Sequence, residues 1–107
     1  MSTCTWPIGN NETLQFNIYT QDGEWNPVAG LYIFTYFDGQ LWRPVYVGQA
    51  DDFSNRLPNH ESWDEARRLG ATHVHAKVVP LAANRDTLET RLIAHLQPVL
   101  NKQKKAA

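Results

Sequence analysis

A carboxylate lies on the otherwise apolar face of the last predicted helix. Leucine and isoleucine recur there at a spacing of about 3.6 residues, and Glu89 falls within the same stripe. An unpaired charge moved out of water is costly, so this glutamate needs a cation partner, a metal ion or an outlet to a cleft. Two structural alternatives stay open: an ion pair with Arg85 or Arg56, or a place at the margin of the stripe. The stripe comprises Arg85, Leu88, Glu89, Leu92, Ile93 and Leu96.

Two tyrosines and an arginine precede this glutamate in the chain. Gly30-Leu31-Tyr32 and Tyr46-Val47-Gly48 lie on the two strands of a predicted hairpin that turns at Asp38-Gly39. Arg56 follows the second tripeptide and offers a planar fork of donors that suits a phosphate group. A single carboxylate holds a hard divalent ion weakly, so such an ion would keep several of its waters.

The ordered set resembles the GIY-YIG nuclease family. Its members carry the two tripeptides in a hairpin, then an arginine on the next helix, a glutamate on a later helix and an asparagine after that helix. The resemblance spans Gly30 to Asn101, about two thirds of the chain. The matching positions are Tyr32, Tyr46, Arg56 followed by Leu57, Glu89 and Asn101.

The chain departs from the family pattern at a few positions. Leu31 and Val47 replace the usual isoleucines, which is an apolar exchange of little consequence. Ala50 stands where a small hydroxyl residue is common. Pro58 interrupts what is usually a continuing helix, and this bears on the match of His60, which lies where some members have a histidine.

The resemblance implies metal-dependent hydrolysis of DNA, with one Mg²⁺ or Mn²⁺ ion held by Glu89. Tyr32 would be the general base or the group that orients water, Tyr46 a second phosphate or water ligand, and Arg56 the stabiliser of charge on the phosphate. A tyrosine with a pKa of about 10 is a poor base near neutral pH, so it needs a relay such as His60 or strong positive potential. The residues expected to contact nucleic acid are Gly48, Arg56, Asn101 and Lys77.

The roles of the two tyrosines constrain the hairpin. With a two-residue turn at Asp38-Gly39, Tyr32 would oppose Val45, and the two phenols would lie on opposite faces. We therefore predict either a three-residue turn, which sets Tyr32 opposite Tyr46, or a one-residue bulge around Pro44.

The surrounding sequence predicts a small α+β domain. We expect a mainly antiparallel three-stranded sheet, to which residues 13–20 could add a strand, flanked by about three helices. The first helix should be capped by Asp51 or Asp52, the second should begin with a capping box at Ser62, and the third should run from Asn84 to about Gln97. The expected organisation is an N-terminal extension over 1–29, a nuclease-like domain over 30–101 and a basic tail over 102–107.

Length and composition bound these expectations. The 107 residues are 42% hydrophobic, which suits one globular domain and excludes collagen-like, low-complexity and coiled-coil chains. No apolar run approaches the roughly 20 residues that cross a bilayer, and one cysteine, Cys4, cannot form an internal disulfide. We expect a soluble cytoplasmic protein without a membrane partner. The net charge is −1, but residues 43–107 carry ten basic residues against seven acidic ones, which permits a polyanion site.

Other functions remain open. A catalytically inactive GIY-YIG-fold module could bind nucleic acid or protein, and an unrelated interaction domain would leave Glu89 exposed and far from both tyrosines. His73 and His75 could bind zinc, although two ligands without a nearby third are more typical of a solvated strand face. A chain of this size leaves little room for target recognition, so a homodimer or a partner protein could supply specificity.

Overall fold

A five-stranded antiparallel sheet forms the centre of the molecule. The computed structural model describes the backbone of residues 2–106 and the side chains of residues 2–102. The sheet order is β1-β2-β5-β3-β4, so β3 is internal and β4 is an edge strand. The strands are β1 (Thr3–Gly9), β2 (Glu12–Thr20), β3 (Gly30–Phe37), β4 (Trp42–Ala50) and β5 (His73–Val78).

Four helices surround the sheet in the described part of the chain. Each of them is too short or too polar to cross a bilayer. They are α1 (Phe53–Arg56), α2 (Trp63–Arg68), α3 (Ala82–Leu96) and α4 (Val99–Ala106).

The sheet is larger than predicted because residues before Gly30 build a hairpin of their own. β1 pairs with β2, and β2 continues the sheet by pairing with β5. The sequence does not predict β1, because its Pro7 and Gly9, with the two asparagines that follow, are typical of a turn. The turn is confined to Asn10 and Asn11, which adopt positive φ angles, while Trp6 and Ile8 just before it are buried.

The fourth helix is a second correction. Pro98 ends α3 as predicted, with Gln97 in the left-handed conformation, φ 51°. Proline is also well suited to begin a helix, because its missing N–H would be unpaired there anyway. Its carbonyl accepts a hydrogen bond from Lys102 N at 3.2 Å, and residues 99–106 form α4 where a basic tail from residue 102 is predicted.

One of the two predicted helix caps is present. Asp52 accepts a hydrogen bond from Ser54 N at 2.9 Å and caps α1. The capping box at Ser62 is wrong, because Ser62 lies at the N-cap of α2 but makes no capping bond through its side chain. Its backbone is helical, φ −88° and ψ −3°, whereas a capping side chain needs an extended backbone.

The core is divided between the two faces of the sheet, with β3 buried on both. Tyr32 and Phe34 pack on one face with residues of α1 and α2. Leu31 and Ile33 pack on the other face with Leu92 of α3 and the N-terminal hairpin. Alternate side chains of β3 therefore serve separate layers, and the face that carries Tyr32 is the one that faces α1 and α2.

His75 belongs to this core rather than to a solvated strand face. Trp6 Nε1 donates to His75 Nδ1 at 2.9 Å, and the imidazole is fully buried beside the ring of Trp42. An indole N–H can only donate, so Nδ1 is an acceptor and neutral His75 carries its proton on Nε2. Among residues 2–102, no group of three or more His, Cys, Asp or Glu side chains could hold a metal, which leaves the zinc alternative without a third ligand.

We expect the fold to lose stability as the pH falls from about 6.5 to 4. Burial, with a smaller contribution from His73, lowers the pKa of His75 to about 4. Between pH 6.5 and 4, His75 is therefore protonated in the unfolded chain but still neutral in the folded chain. The free energy of unfolding is unaffected by this difference above pH 6.5 and falls below it, by up to about 1.4 kcal/mol per pH unit.

Urea unfolding at a series of pH values measures this loss. His75→Gln should give a shallower dependence of the free energy of unfolding on pH, while the matched variant His73→Gln should keep most of the wild-type slope, because burial is the larger cause of the lowered pKa of His75. Equal slopes for the wild type and His75→Gln would contradict the assignment.

Candidate active site

A β-bulge in the β3–β4 hairpin determines which side chains of β4 join the site. On the loop side of the bulge, Thr35 pairs with Pro44, and on the far side, Phe34 pairs with Tyr46. Val45 is therefore an extra residue in β4. Because side chains alternate along a strand, one extra residue transfers Tyr46 and the rest of β4 to the opposite face.

The bulge brings the two phenols to the same face of the sheet. Tyr32 lies opposite Gly48 and diagonal to Tyr46, with the two phenol ring centroids 6.3 Å apart. The predicted three-residue turn with Tyr32 opposite Tyr46 is wrong, because the loop has four residues and is closed by Asp38 N bonding to Leu41 O. The alternative prediction, a bulge around Pro44, is confirmed.

Gly48 makes room for the ring of Tyr32. A Cβ atom at Gly48 would lie 2.5 Å from both Cζ and Oη of Tyr32, which is closer than any real contact. The phenol ring of Tyr32 thus packs directly on the backbone of Gly48 in the edge strand β4. The second tripeptide therefore has a packing function: its glycine holds the position of the first tyrosine.

His60 joins the site through the hydroxyl group of Tyr32. The distance from Tyr32 Oη to His60 Nε2 is 2.6 Å, and Ser62 N donates to His60 Nδ1 at 3.0 Å. A backbone N–H can only donate, so neutral His60 has its proton on Nε2 and donates it to Tyr32. Pro58 does not prevent this match, because the chain turns after α1 and carries His60 back over the sheet face.

Arg56 lies beside the phenols and is engaged by an acidic neighbour. Glu61 accepts two hydrogen bonds from its guanidinium, at 2.5 Å from Nη1 and 2.8 Å from Nη2. The pair is exposed, and its hydrogen bonds lower the pKa of Glu61 to about 2 and raise the pKa of Arg56. The planar fork that would accept a phosphate is therefore occupied by a carboxylate of similar shape.

Glu89 lies half-buried on α3 and is not paired with either predicted arginine. Arg85 binds Asp51 and Arg56 binds Glu61, while Glu89 Oε1 accepts a hydrogen bond from Gln49 Nε2 at 2.9 Å. The ion-pair alternative for Glu89 is therefore wrong.

Charge links Glu89 to the two phenols. Burial is the main cause that raises the pKa of both Tyr32 and Tyr46. The charge of Arg56 lowers both pKa values, and the charges of Glu61 and Glu89 raise them. All three charged groups thus lie within electrostatic reach of the two phenols, which is the opposite of the exposed and remote Glu89 expected for an unrelated domain.

The donor set fits a weakly held divalent ion. Glu89 supplies hard carboxylate oxygen, and residues 2–102 contain no cluster of three potential ligands. Glu89 would hold such an ion, with most of the remaining ligands coming from water and substrate.

Two of the residues predicted to contact nucleic acid, Asn101 and Lys77, lie in other surroundings than the phenols. Asn101 is buried in α4, where its side-chain amide bonds to both the N–H and the C=O of Val47 at 2.8 and 2.9 Å. It therefore pairs with the edge strand as a neighbouring strand would. Lys77 lies opposite Leu31, on the sheet face away from Tyr32, and lines a cavity with Asn84 and Leu88 of α3.

Comparison with known proteins gives two structural relatives. No family model and no curated protein matches the chain. Two solved structures of the GIY-YIG N-terminal endonuclease domain of UvrC from Thermotoga maritima do match, each with a TM-score of 0.55. They are point mutants in which a tyrosine is replaced by phenylalanine, and each is bound to its catalytic divalent cation. Identity is 29% and 28%, over 69% of this chain and 82% and 83% of those domains.

Sequence reasoning missed two residues of the site, Glu61 and Gln49. Glu61 follows His60 directly, and its distance of five residues from Arg56 corresponds to no regular helix spacing. Gln49 follows the second tripeptide, and only the packing of α3 against β4 brings its amide to Glu89. Neither residue carries a local signal in the sequence.

A methyl group at Gly48 should disrupt the site. We expect Gly48→Ala to displace the ring of Tyr32 from His60 and to lower the free energy of unfolding by about 1–3 kcal/mol, because the core cannot absorb the added atom. Thermal or urea unfolding measures the change. Gly23→Ala is the matched control, since its Cβ would lie 3.4 Å from Thr20 O and should be tolerated. A Gly48→Ala variant as stable as the control would contradict the close approach.

Proposed function

This chain is a GIY-YIG fold member, and on that premise we propose that it is a divalent-metal-dependent endonuclease that hydrolyses phosphodiester bonds of DNA. The observation that carries the proposal is the convergence of two phenols, a guanidinium and an imidazole on one sheet face, with the Glu89 carboxylate near enough for its charge to act on both phenols. The endonuclease domains that it matches, which are bound to a catalytic divalent cation, support the same reaction class.

Tyr32 is the proposed general base, and His60 its hydrogen-bond donor. Because Nε2 of His60 already carries a proton and Ser62 N holds Nδ1, His60 does not accept the proton of Tyr32. It donates to Oη instead, which favours the phenolate. Arg56 adds positive potential, while burial opposes ionisation. The hydroxyl proton of Tyr32 is therefore transferred to an acceptor other than His60.

Arg56 and Tyr46 are the proposed phosphate contacts. The guanidinium fork can bind two phosphate oxygens at once and stabilise the charge that develops there. Tyr46 is only partly buried and packs beside Tyr32, so its hydroxyl can hold water or phosphate next to the base. A divalent ion, when bound, supplies charge stabilisation at the phosphoryl and leaving oxygens, and Glu89 is the residue that would hold it.

Target selection is proposed to come from a second copy of the chain or from a partner protein. The basic excess of residues 43–107 supports attraction to DNA without sequence discrimination. The free thiol of Cys4 suits a reducing compartment such as the cytoplasm.

DNA cleavage with purified protein tests the proposal. Supercoiled, branched and single-stranded DNA are incubated with Mg²⁺ or Mn²⁺, and we expect the wild type to cut at least one of them. Glu89→Gln should reduce the rate by at least about a hundredfold, the loss typical of a removed electrostatic group. Circular dichroism checks that the variant is folded.

Cleavage that survives Glu89→Gln would overturn the assignment of Glu89. A wild type that binds DNA but cuts none of these substrates would overturn the enzymatic function and support the inactive binding module instead.

Glu61 should compete with DNA for Arg56. We expect Glu61→Gln to lower the Kd for DNA about twofold to fivefold, because an exposed ion pair contributes up to about 1 kcal/mol and the phosphate must displace it. Fluorescence anisotropy with a labelled oligonucleotide, in the Glu89→Gln background that prevents cutting, measures the change. Glu65→Gln removes the same charge from the exposed face of α2, and an equal effect of both variants would show that Glu61 acts only through net charge.

A further inference from the structure

A buried arginine fixes the neighbourhood of Glu89. Arg85 of α3 is 4% exposed, and its guanidinium donates to the carbonyls of Val79 and Pro80 and to the carboxylate of Asp51. These three bonds leave Nε directed at Gln49 Oε1, at 3.2 Å. The arginine thus presents a fixed donor to the edge strand.

This donor determines which way the amide of Gln49 faces. Arginine has no acceptor atom, so the carbonyl oxygen of the amide must face Arg85 and the NH₂ group must face away from it. The reversed amide would set a nitrogen against the guanidinium and an oxygen against two carboxylates. The orientation of Gln49 follows from the charges around it.

The NH₂ group of Gln49 is shared by two carboxylates. Gln49 Nε2 lies 2.7 Å from Asp86 Oδ1 and 2.9 Å from Glu89 Oε1. Asp86 and Glu89 are three residues apart on α3, so their side chains lie on one helix face. One neutral amide therefore uses both of its hydrogens to hold two acidic side chains.

We propose that Gln49 is a positioning residue for Glu89, an inference that rests on the proposed function. Its amide holds Oε1 of Glu89 and leaves the second oxygen for the divalent ion. It also ties Asp86 Oδ1 to the same nitrogen, which keeps that oxygen from joining Glu89 as a second ligand. The ion is then held by one carboxylate, so its tight binding requires the phosphate of the substrate.

The proposal predicts that loss of the amide strengthens metal binding in the absence of DNA. Gln49→Met keeps the length of the side chain and removes both donors, which frees Asp86 and Glu89 to bind one ion together. We expect the Kd for Mn²⁺ without DNA to fall at least about fivefold, as a second carboxylate joins the ion. Electron paramagnetic resonance of unbound Mn²⁺ measures this without any cleavage.

A double-mutant cycle separates positioning from a general effect. Asp86→Asn should change Mn²⁺ binding less than about twofold in the wild-type background and should cancel the gain in the Gln49→Met background. Gln15→Met, on the exposed part of β2, is the matched control and should bind Mn²⁺ as the wild type does. At saturating Mn²⁺, Gln49→Met should lower kcat for DNA about tenfold or more while KM changes little, because Glu89 is no longer oriented.

Two results would overturn the proposal. Mn²⁺ affinity of Gln49→Met equal to that of the wild type would mean that the amide does not restrain the carboxylates. An equal effect of Asp86→Asn in both backgrounds would mean that Gln49 and Asp86 act independently. Failure of the wild type to cut DNA would overturn the proposed function, yet the Mn²⁺ measurements would still decide the role of Gln49.

Discussion

The extra residue in β4 is the constraint on which the site depends. Without Val45 as a bulge, the register of the hairpin would direct Tyr46 into the layer that packs against α3, and Tyr32 would lose the second phenol from its face of the sheet. A bulge interrupts the regular hydrogen bonds between two strands. Here little is lost, because Pro44 has no N–H to donate to the neighbouring strand. Position 44 is therefore a place where the sheet can accept an irregularity at little further cost.

Hydrogen bonds of fixed direction then orient the groups that the bulge assembles. A backbone N–H at Ser62 sets the tautomer of His60, and the guanidinium of Arg85 sets the amide of Gln49. In both cases a group that can only donate determines the orientation of an ambiguous side chain. The polar atoms around Tyr32 and Glu89 thus have defined donor and acceptor roles before any ligand binds, which is the condition for electrostatic preorganisation.

Local sequence patterns were enough to predict much of the fold. The β3–β4 hairpin, the cap at Asp52 and the stop at Pro98 depend on neighbours in the chain, and the structure confirms them. Two of the failures share a different cause. The burial of His75 and the pairing of Asn101 with Val47 depend on contacts between residues more than fifty positions apart, so no window of sequence contains them. Strand β1 is a local hairpin strand, but its proline and glycine hide it.

The order and type of the candidate groups were determined by sequence alone: two tyrosines in paired tripeptides, an arginine after the hairpin and a glutamate on a late helix. Only the tertiary structure decided which of them meet. It joined His60 to Tyr32, assigned Glu61 to Arg56 and Gln49 to Glu89, and gave Asn101 a place on the sheet edge. The physical reason is that a charge or an amide takes the partner that packing brings within about 3 Å, and packing is a property of the whole chain.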